Sequence, residues 1–318
     1  MTDAFEAFLG GVSGSVAGVS FGALAVALAL HTGKLVAEAR SWHWIVSHAH
    51  QGAPVRFGTT LGAFVAAVGA NAVLPARVGE ALRVGAVRKR VPGSSVPTIA
   101  ATIVLETAIE VVFGAGVIVA VVLGGRGVFA GSTPALAELG ASPILLGAVL
   151  AAALAGLLLA IAFRGRAASL VHRMARGFSV LTAPRVFVTG VLSWKLVAWA
   201  LRLGAVYAFL VAFHVPAAPW TAAVVVAAQN VAGAVPLLPG NAGTQQAAIG
   251  VALAGTASAT GLLGFGVGMQ ASTAVADLVL GSAALVLLAG RGDLRAALRA
   301  VRPARGASRT AATSTVAP

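Results

Sequence analysis

Long apolar runs separated by short basic stretches limit what this chain can become. Ser13 to Leu30, Ile99 to Leu123, Ile144 to Phe163, Val186 to Phe213 and Thr260 to Leu288 each read as a helix able to cross a bilayer. About 20 apolar residues suffice, because a helix rises ~1.5 Å per residue and the hydrocarbon is ~30 Å thick. The composition agrees. Of the 318 residues, 58% are hydrophobic and 10% charged, with a mean hydropathy of +0.94. A soluble domain carries about a quarter charged residues. An all-α, polytopic membrane bundle is therefore predicted. Cysteine is absent, which excludes disulfides and thiolate metal sites. Asp3 and Glu6 precede the first run with no basic residue, so that run is read as a retained span and not as a signal peptide.

Two apolar runs end in a helix-breaking, polar stretch. Val55 to Leu74 runs into Asn71-Ala-Val-Leu-Pro-Ala-Arg-Val-Gly-Glu-Ala-Leu-Arg83. Pro75 cannot continue a helix and biases Leu74 away from helical geometry. A break there is expected, with a polar half-helix after it. Trp220 to Pro236 runs into Val235-Pro-Leu-Leu-Pro-Gly-Asn-Ala-Gly-Thr-Gln-Gln246, and Gly240 to Gly255 reads as a weakly polar half-span. Leu74-Pro75 with Gly79 and Leu238-Pro239 with Gly243 share one spacing. Broken helices in corresponding positions of two halves point to an inverted repeat with a site between the copies. The expected hairpin tips are Pro75, Gly79, Pro239, Gly240 and Gly243.

The net charge of +13 is distributed along the chain in a way that argues against nucleic acid. Nineteen of the 22 basic residues fall in four clusters, at 34–56, 77–90, 164–185 and 291–309. Clusters between apolar spans are what the positive-inside rule produces. With all four inside, the N-terminus lies outside and the tail after Arg291 is cytoplasmic, in the plasma membrane. Val55 to Arg90 must then enter and leave on one face, and Trp220 to Gly255 on the other. Two oppositely entering hairpins result. Their non-helical tips are tolerable only when buried in protein or lining a wet cavity. One domain over 1–290 is expected, with halves at about 13–123 and 144–290. The basic tail at 291–318 is expected to be disordered and to touch anionic lipid.

Polar groups inside apolar spans are costly and mark function by default. Glu106 and Glu110 are four apart and share a helix face. Lys195 and Arg202, seven apart, share another, with Trp199 beside them. Arg202 needs a carboxylate or a lipid phosphate. Asp277 is a candidate partner for Arg202 or Lys195. Gln229 and Asn230 precede the second break, and Gln270 lies in the last span. Val36 to His50, with Trp42 and Trp44, reads as an interfacial helix. His43, His48 and His50 cluster there, and a polar face accounts for them better than a metal. Gly14, Gly18 and Gly22 recur at four-residue spacing and suit close helix packing. Gly264, Gly266 and Gly268 lie in an apolar helix and form no dinucleotide fingerprint. No cofactor is implied.

Asn71 through Arg83 resembles the signature of the lysylphosphatidylglycerol synthase transmembrane region, also called flippase-like or UPF0104 proteins. Glu38-Ala-Arg-Ser-Trp-His-Trp resembles the Arg-Trp segment that precedes it there. Leu105-Glu106-Thr-Ala-Ile-Glu110 is similar to the family's Glu-Arg-x-x-Asp helix. Pro239-Gly-Asn-Ala-Gly243 is similar to its Pro-Gly-Gly-x-Gly loop. The likeness runs from about Gly22 to Gly290. Thr107, Glu110 and Gln246 depart from the family's usual Arg, Asp and Glu. The resemblance implies movement of a lipid head group across the bilayer. Fused members carry a soluble aminoacyl-transferase domain. The 28 residues after Gly290 are too few for one, so the synthase activity is not carried over.

The leading expectation is lipid translocation, with a phospholipid or polyprenyl-phosphate-linked glycolipid entering between the hairpins. The head-group residues would be Asn71, Arg77, Glu80, Arg83, Glu106, Glu110, Arg202, Asn230, Asn241, Gln246 and Asp277. Arg77 and Arg83 would hold phosphate oxygens, since an Arg fork matches phosphate geometry. An internal charge network that merely locks the hairpin is the structural alternative. A membrane-embedded transferase using Glu106 or Glu110 as base, and a regulatory partner of a lipid-modifying enzyme, are the other functions considered. The partners expected are a lipid with an anionic or phosphate head group, and a possible second copy of the chain.

Overall fold

The structure, a computed structural model, describes residues 18–74, 78–124, 174–233 and 243–301. Eight helices account for most of these: α1 Phe21–Ala49, α2 Phe57–Val73, α3 Gly79–Arg90, α4 Val96–Gly124, α5 Pro184–Ala212, α6 Pro219–Gly233, α7 Thr244–Ala252 and α8 Ala259–Val301. A short 3₁₀ turn, Ser179–Thr182, precedes α5. The described residues contain no strand, only an isolated bridge between Ala254 and Ala257. Among the described residues, four helices are long and apolar enough to cross a membrane: α1, α4, α5 and the Ala259–Ala289 part of α8. The fold is all-α, and the protein is multi-pass.

Local chemistry explains most boundaries. Leu74 is extended (φ −94°, ψ 136°) and stops α2, as the residue before a proline prefers. Glu80 opens α3, and Arg88, Lys89 and Arg90 close it. Each sign suits the dipole at its end. Positive φ at Gly243 (84°) turns the chain into α7 where a side chain would be strained. The first turns of α5 widen into a π segment, Phe187–Leu192, of the kind that frees backbone carbonyls. Ser41 of α1 donates to one of them, the Val191 carbonyl, at 3.0 Å.

Contacts fix the directions of the long helices. Ser20 N donates to Ala212 O, Gly33 faces Leu201 and Gly190 faces Trp44, so α1 and α5 are antiparallel. Glu106 meets Lys195 while Glu110 meets both Lys195 and Arg202, so α4 and α5 run in one direction. Gly69 sits on Gly281 and Gly62 on Leu288, so α2 and α8 are antiparallel. A Cβ at Gly69 would stand 2.6 Å from the Asp277 carbonyl and 2.8 Å from the Gly281 Cα. Only paired glycines let two backbones cross that closely.

Buried apolar side chains form the core. Phe209, Leu210, Ile249, Phe265 and Met269 pack together across α5, α7 and α8. Trp42, Phe64, Val87 and Ile99 form a second cluster across α1 to α4. Val111, Val112 and Leu123 of α4 and Leu278, Val279 and Leu287 of α8 stay exposed. Exposed aliphatic faces on long helices suit a hydrocarbon surround.

The structure corrects several expectations. The break expected between Leu30 and Val36 is absent: α1 is one 29-residue helix. No proline interrupts 31–49, and Lys34 pairs with Glu38 one turn on, at 3.4 Å. Trp42 is not an interfacial anchor. It is fully buried, and its indole N–H donates to Thr102 of α4 at 3.2 Å. Gly22 is not a packing glycine, because a Cβ there would meet nothing within 4 Å. The helix of the last span continues past Arg291 to Val301. The expected span Ile144 to Phe163 lies outside the described residues, as do Gly14 and the tail beyond Val301.

Candidate functional site

A chain of charges crosses the interior from α3 to α6. Arg83 of α3 donates through Nη1 to Glu80 Oε2 at 3.1 Å, and through Nη1 and Nη2 to Glu106 Oε2 at 3.2 Å. Lys195 of α5 bridges the next two carboxylates. Its Nζ lies 3.3 Å from Glu106 Oε1 and 2.8 Å from Glu110 Oε2. Arg202 continues the line, with Nη1 3.5 Å from Glu110 Oε1 and Nη2 3.4 Å from Gln229 Oε1 on α6. Gln229 in turn donates to the Met269 sulfur of α8 at 3.8 Å. The neighbouring Gln270 bonds Gln246 of α7, whose Oε1 accepts from Gly243 N at 2.7 Å. The line thus joins the start of α3 to the start of α7.

The charges in the line balance, Glu80, Glu106 and Glu110 against Arg83, Lys195 and Arg202. That balance is what makes the line tolerable. A single charge at the centre of a membrane helix costs on the order of 3 kcal/mol or more, and a buried ion stays only if paired and hydrogen-bonded. Helix periodicity produces the order: four residues on α4 and seven on α5 each return to the same face, and the two faces meet. The aromatic rings add to it. The Arg83 guanidinium carbon lies 4.1 Å from the Trp42 ring centre and 4.7 Å from that of Phe64, and Arg202 lies 4.9 Å from Trp199. Planar guanidinium groups stack on such faces.

Exposure varies along the line. Lys195 is wholly buried and the Arg83 side chain is 5% exposed, while Glu80 and Glu110 are 35% and 32% exposed. Arg202 sits between, at 19%. Arg83 meets two carboxylates through its Nη atoms and two rings through its face, while its buried Nε has no hydrogen-bond partner among the described residues. Glu106 shares its oxygens between two cations. Of the described cations in the line, Arg202 is the one with a partly open fork.

The other predicted site residues fall in different places. Asn71 Oδ1 accepts from Gly79 N at 2.8 Å, tying the end of α2 to the start of α3. A Cβ at Gly79 would stand 2.2 Å from the Ala67 carbonyl, so glycine is required there. Asn230 packs its amide against Gly114 of α4. Asp277 does not pair with Arg202 or Lys195. Its Oδ1 lies 2.8 Å from His31 Nε2 of α1, because it projects on the side of α8 that meets α1 and α2. Pro75, Arg77, Pro239, Gly240 and Asn241 lie outside the described residues. Lys195 and Gln229, polar groups inside apolar spans, join the line, while Trp42 and His31 are site neighbours that the sequence reading did not place there. Nothing local distinguishes Trp42 and His31 in the sequence. Of the three clustered histidines, His43 bonds Thr60, His48 bonds Gln51 and His50 bonds the Val46 carbonyl. Among the described residues no three acidic or imidazole groups converge as metal ligands.

A family model, the lysylphosphatidylglycerol synthase TM region, matches residues 8–281. No curated protein and no solved structure matches the chain. The family match spans most of the sequence, and the chain belongs to the lysylphosphatidylglycerol synthase TM region family as a multi-pass membrane protein linked to lipid handling.

Proposed function

We propose that the protein carries the head group of a phospholipid, or of a polyprenyl-phosphate-linked glycolipid, across the plasma membrane. The observation behind this reading is the polar line from Glu80 through Glu106, Lys195, Glu110 and Arg202 to Gln229, set among helices of membrane length. A lipid's acyl chains can stay in hydrocarbon while it turns over, but its head group cannot cross without replacement polar contacts. The line supplies such contacts in series, and Glu80 and Glu110 are its most exposed members. Arg202 is the phosphate contact on this reading, with Arg77 beside the α2–α3 tip as the second. Arg83 and Lys195 hold the carboxylates in place. On this reading the N-terminus lies outside and the C-terminus in the cytoplasm.

The test is purified protein in liposomes with a head-group-labelled phospholipid and an impermeant quencher outside. Protein-dependent access of inner-leaflet lipid to the quencher supports the proposal. Access no faster than in protein-free liposomes, for phospholipid and polyprenyl-phosphate lipid alike, overturns it.

A further inference from the structure

A second feature lies away from the polar line. A crevice of about 600 Å³ opens between α1, α2 and α8. That is the size of an ordinary small-ligand pocket. Its walls are Leu35 and Val36 of α1, Leu61 and Val65 of α2, and Leu280 and Leu287 of α8, with Gly58 and Gly62 leaving room on the α2 side. From Leu280 to Leu288 the α8 wall rises about 12 Å at ~1.5 Å per residue, enough for a good part of one acyl chain. Among the described residues, the charged ones lining it are Arg56 and Arg90. Both are exposed, and no carboxylate among the described residues lines the crevice. Arg56 stands at the start of α2 and Arg90 at the end of α3, where it donates to the Leu288 carbonyl. Two arginines therefore mark one end of an apolar slot.

We propose that this crevice is a binding site for one anionic phospholipid, its phosphate against Arg56 and Arg90 and one acyl chain along Leu61, Val65 and Leu280. Arginine forks match phosphate oxygens, and basic pockets between membrane helices hold anionic head groups. The apolar walls ask for hydrocarbon and the two arginines ask for an anion. A zwitterionic lipid meets only the first demand, and a free anion only the second. The site is separate from the polar line and does not depend on transport.

The test is native mass spectrometry of the whole protein in mild detergent, with dioleoyl phosphatidylserine or dioleoyl phosphatidylcholine added. Gly58 lines the crevice and a Cβ there would start in open space, meeting nothing within 4 Å, so Gly58→Phe is the variant chosen to fill it, and phenylalanine favours a helix more than glycine does. The expected result is one retained phosphatidylserine per chain, several-fold preferred over phosphatidylcholine. Arg56→Gln should weaken retention by roughly fivefold, the effect of about 1 kcal/mol per arginine near a lipid surface. Arg56→Gln with Arg90→Gln should weaken it further, and Gly58→Phe should abolish it with no loss of melting temperature in lipid-free detergent. Should Arg90→Gln fail to fold, Arg56→Gln and Gly58→Phe decide the matter. Equal retention of the two lipids, undiminished retention in Gly58→Phe, or a dimer that occupies the crevice and disappears in Gly58→Phe without any lipid adduct would each overturn the proposal.

Discussion

Lys195 on α5 reaches Glu110 on α4 at 2.8 Å with its ammonium wholly buried. The same ammonium lies 3.3 Å from Glu106. One cation thereby holds two carboxylates that a helix turn places side by side. The pairing joins two membrane-length helices through charge instead of apolar packing, and it makes Lys195 the centre of the polar line.

Removing that centre should be costly. Lys195→Met leaves Glu106 with Arg83 alone and Glu110 with Arg202 alone, in a low-dielectric place. A broken buried pair typically costs about 3–5 kcal/mol. A large fall in detergent melting temperature is expected, partly recovered when Glu110→Gln is added. An unchanged melting temperature for Lys195→Met would show that water already reaches the pair.

Two glycines of α3 should respond oppositely to alanine. At Gly79 the new Cβ would press on the Ala67 carbonyl at 2.2 Å and on Asn71 Oδ1 at 2.6 Å. The cost expected is about 1–3 kcal/mol, as for other overpacked contacts. At Gly85 a Cβ meets nothing within 4 Å, and alanine should stabilise the helix by about 0.5–1 kcal/mol. Thermal melts of the two variants side by side read the difference. Equal effects would contradict the close α2–α3 approach.

Arg202 and Arg77 separate transport from stability. Arg202→Gln keeps a hydrogen bond to Gln229 within reach but removes the charge, and should abolish lipid movement in liposomes with a modest loss of stability. Arg202→Lys should restore stability more than transport, because a point charge cannot make a two-pronged phosphate contact. Arg77→Gln should impair transport without lowering the melting temperature. Normal transport in all three variants would remove phosphate binding from these positions.

His31 and Asp277 should behave as one unit. Their side chains meet at 2.8 Å between α1 and α8, 13% and 16% exposed. His31→Leu alone strands the Asp277 carboxylate, whereas His31→Leu with Asp277→Leu strands neither group. A double-mutant cycle on thermal stability should give a coupling of about 0.5–3 kcal/mol, the range for residues in contact. Strict additivity would mean that the two groups do not interact.

Membrane orientation can be read with thiol chemistry, since the chain has no cysteine of its own. Cysteine at position 13 should react with an impermeant reagent in intact cells, and cysteine at position 308 only after permeabilisation. Labelling of position 308 from outside would invert the proposed topology.

Composition and run length determined the class of this protein. Apolar runs such as Ile99 to Leu123 commit the chain to helices in hydrocarbon, because backbone groups there can bond only within their own segment. Proline before a polar stretch was equally legible, since Pro75 constrains Leu74 whatever surrounds it. Glu106 with Glu110, and Lys195 with Arg202, could be placed on shared faces from helical periodicity alone. What periodicity cannot say is which face meets which. Asp277 was as good a partner for Arg202 on paper as Glu110 is in space, and only the crossing of α8 over α2 at Gly69 and Gly281 turned it towards His31. Trp42 reads as an interfacial residue when only its neighbours in sequence are considered. The pocket that buries it, made by Phe64 and Thr102, comes from helices 22 and 60 positions away. Partner choice among buried charges is decided by distance and desolvation in three dimensions, and neither quantity exists until the helices have packed.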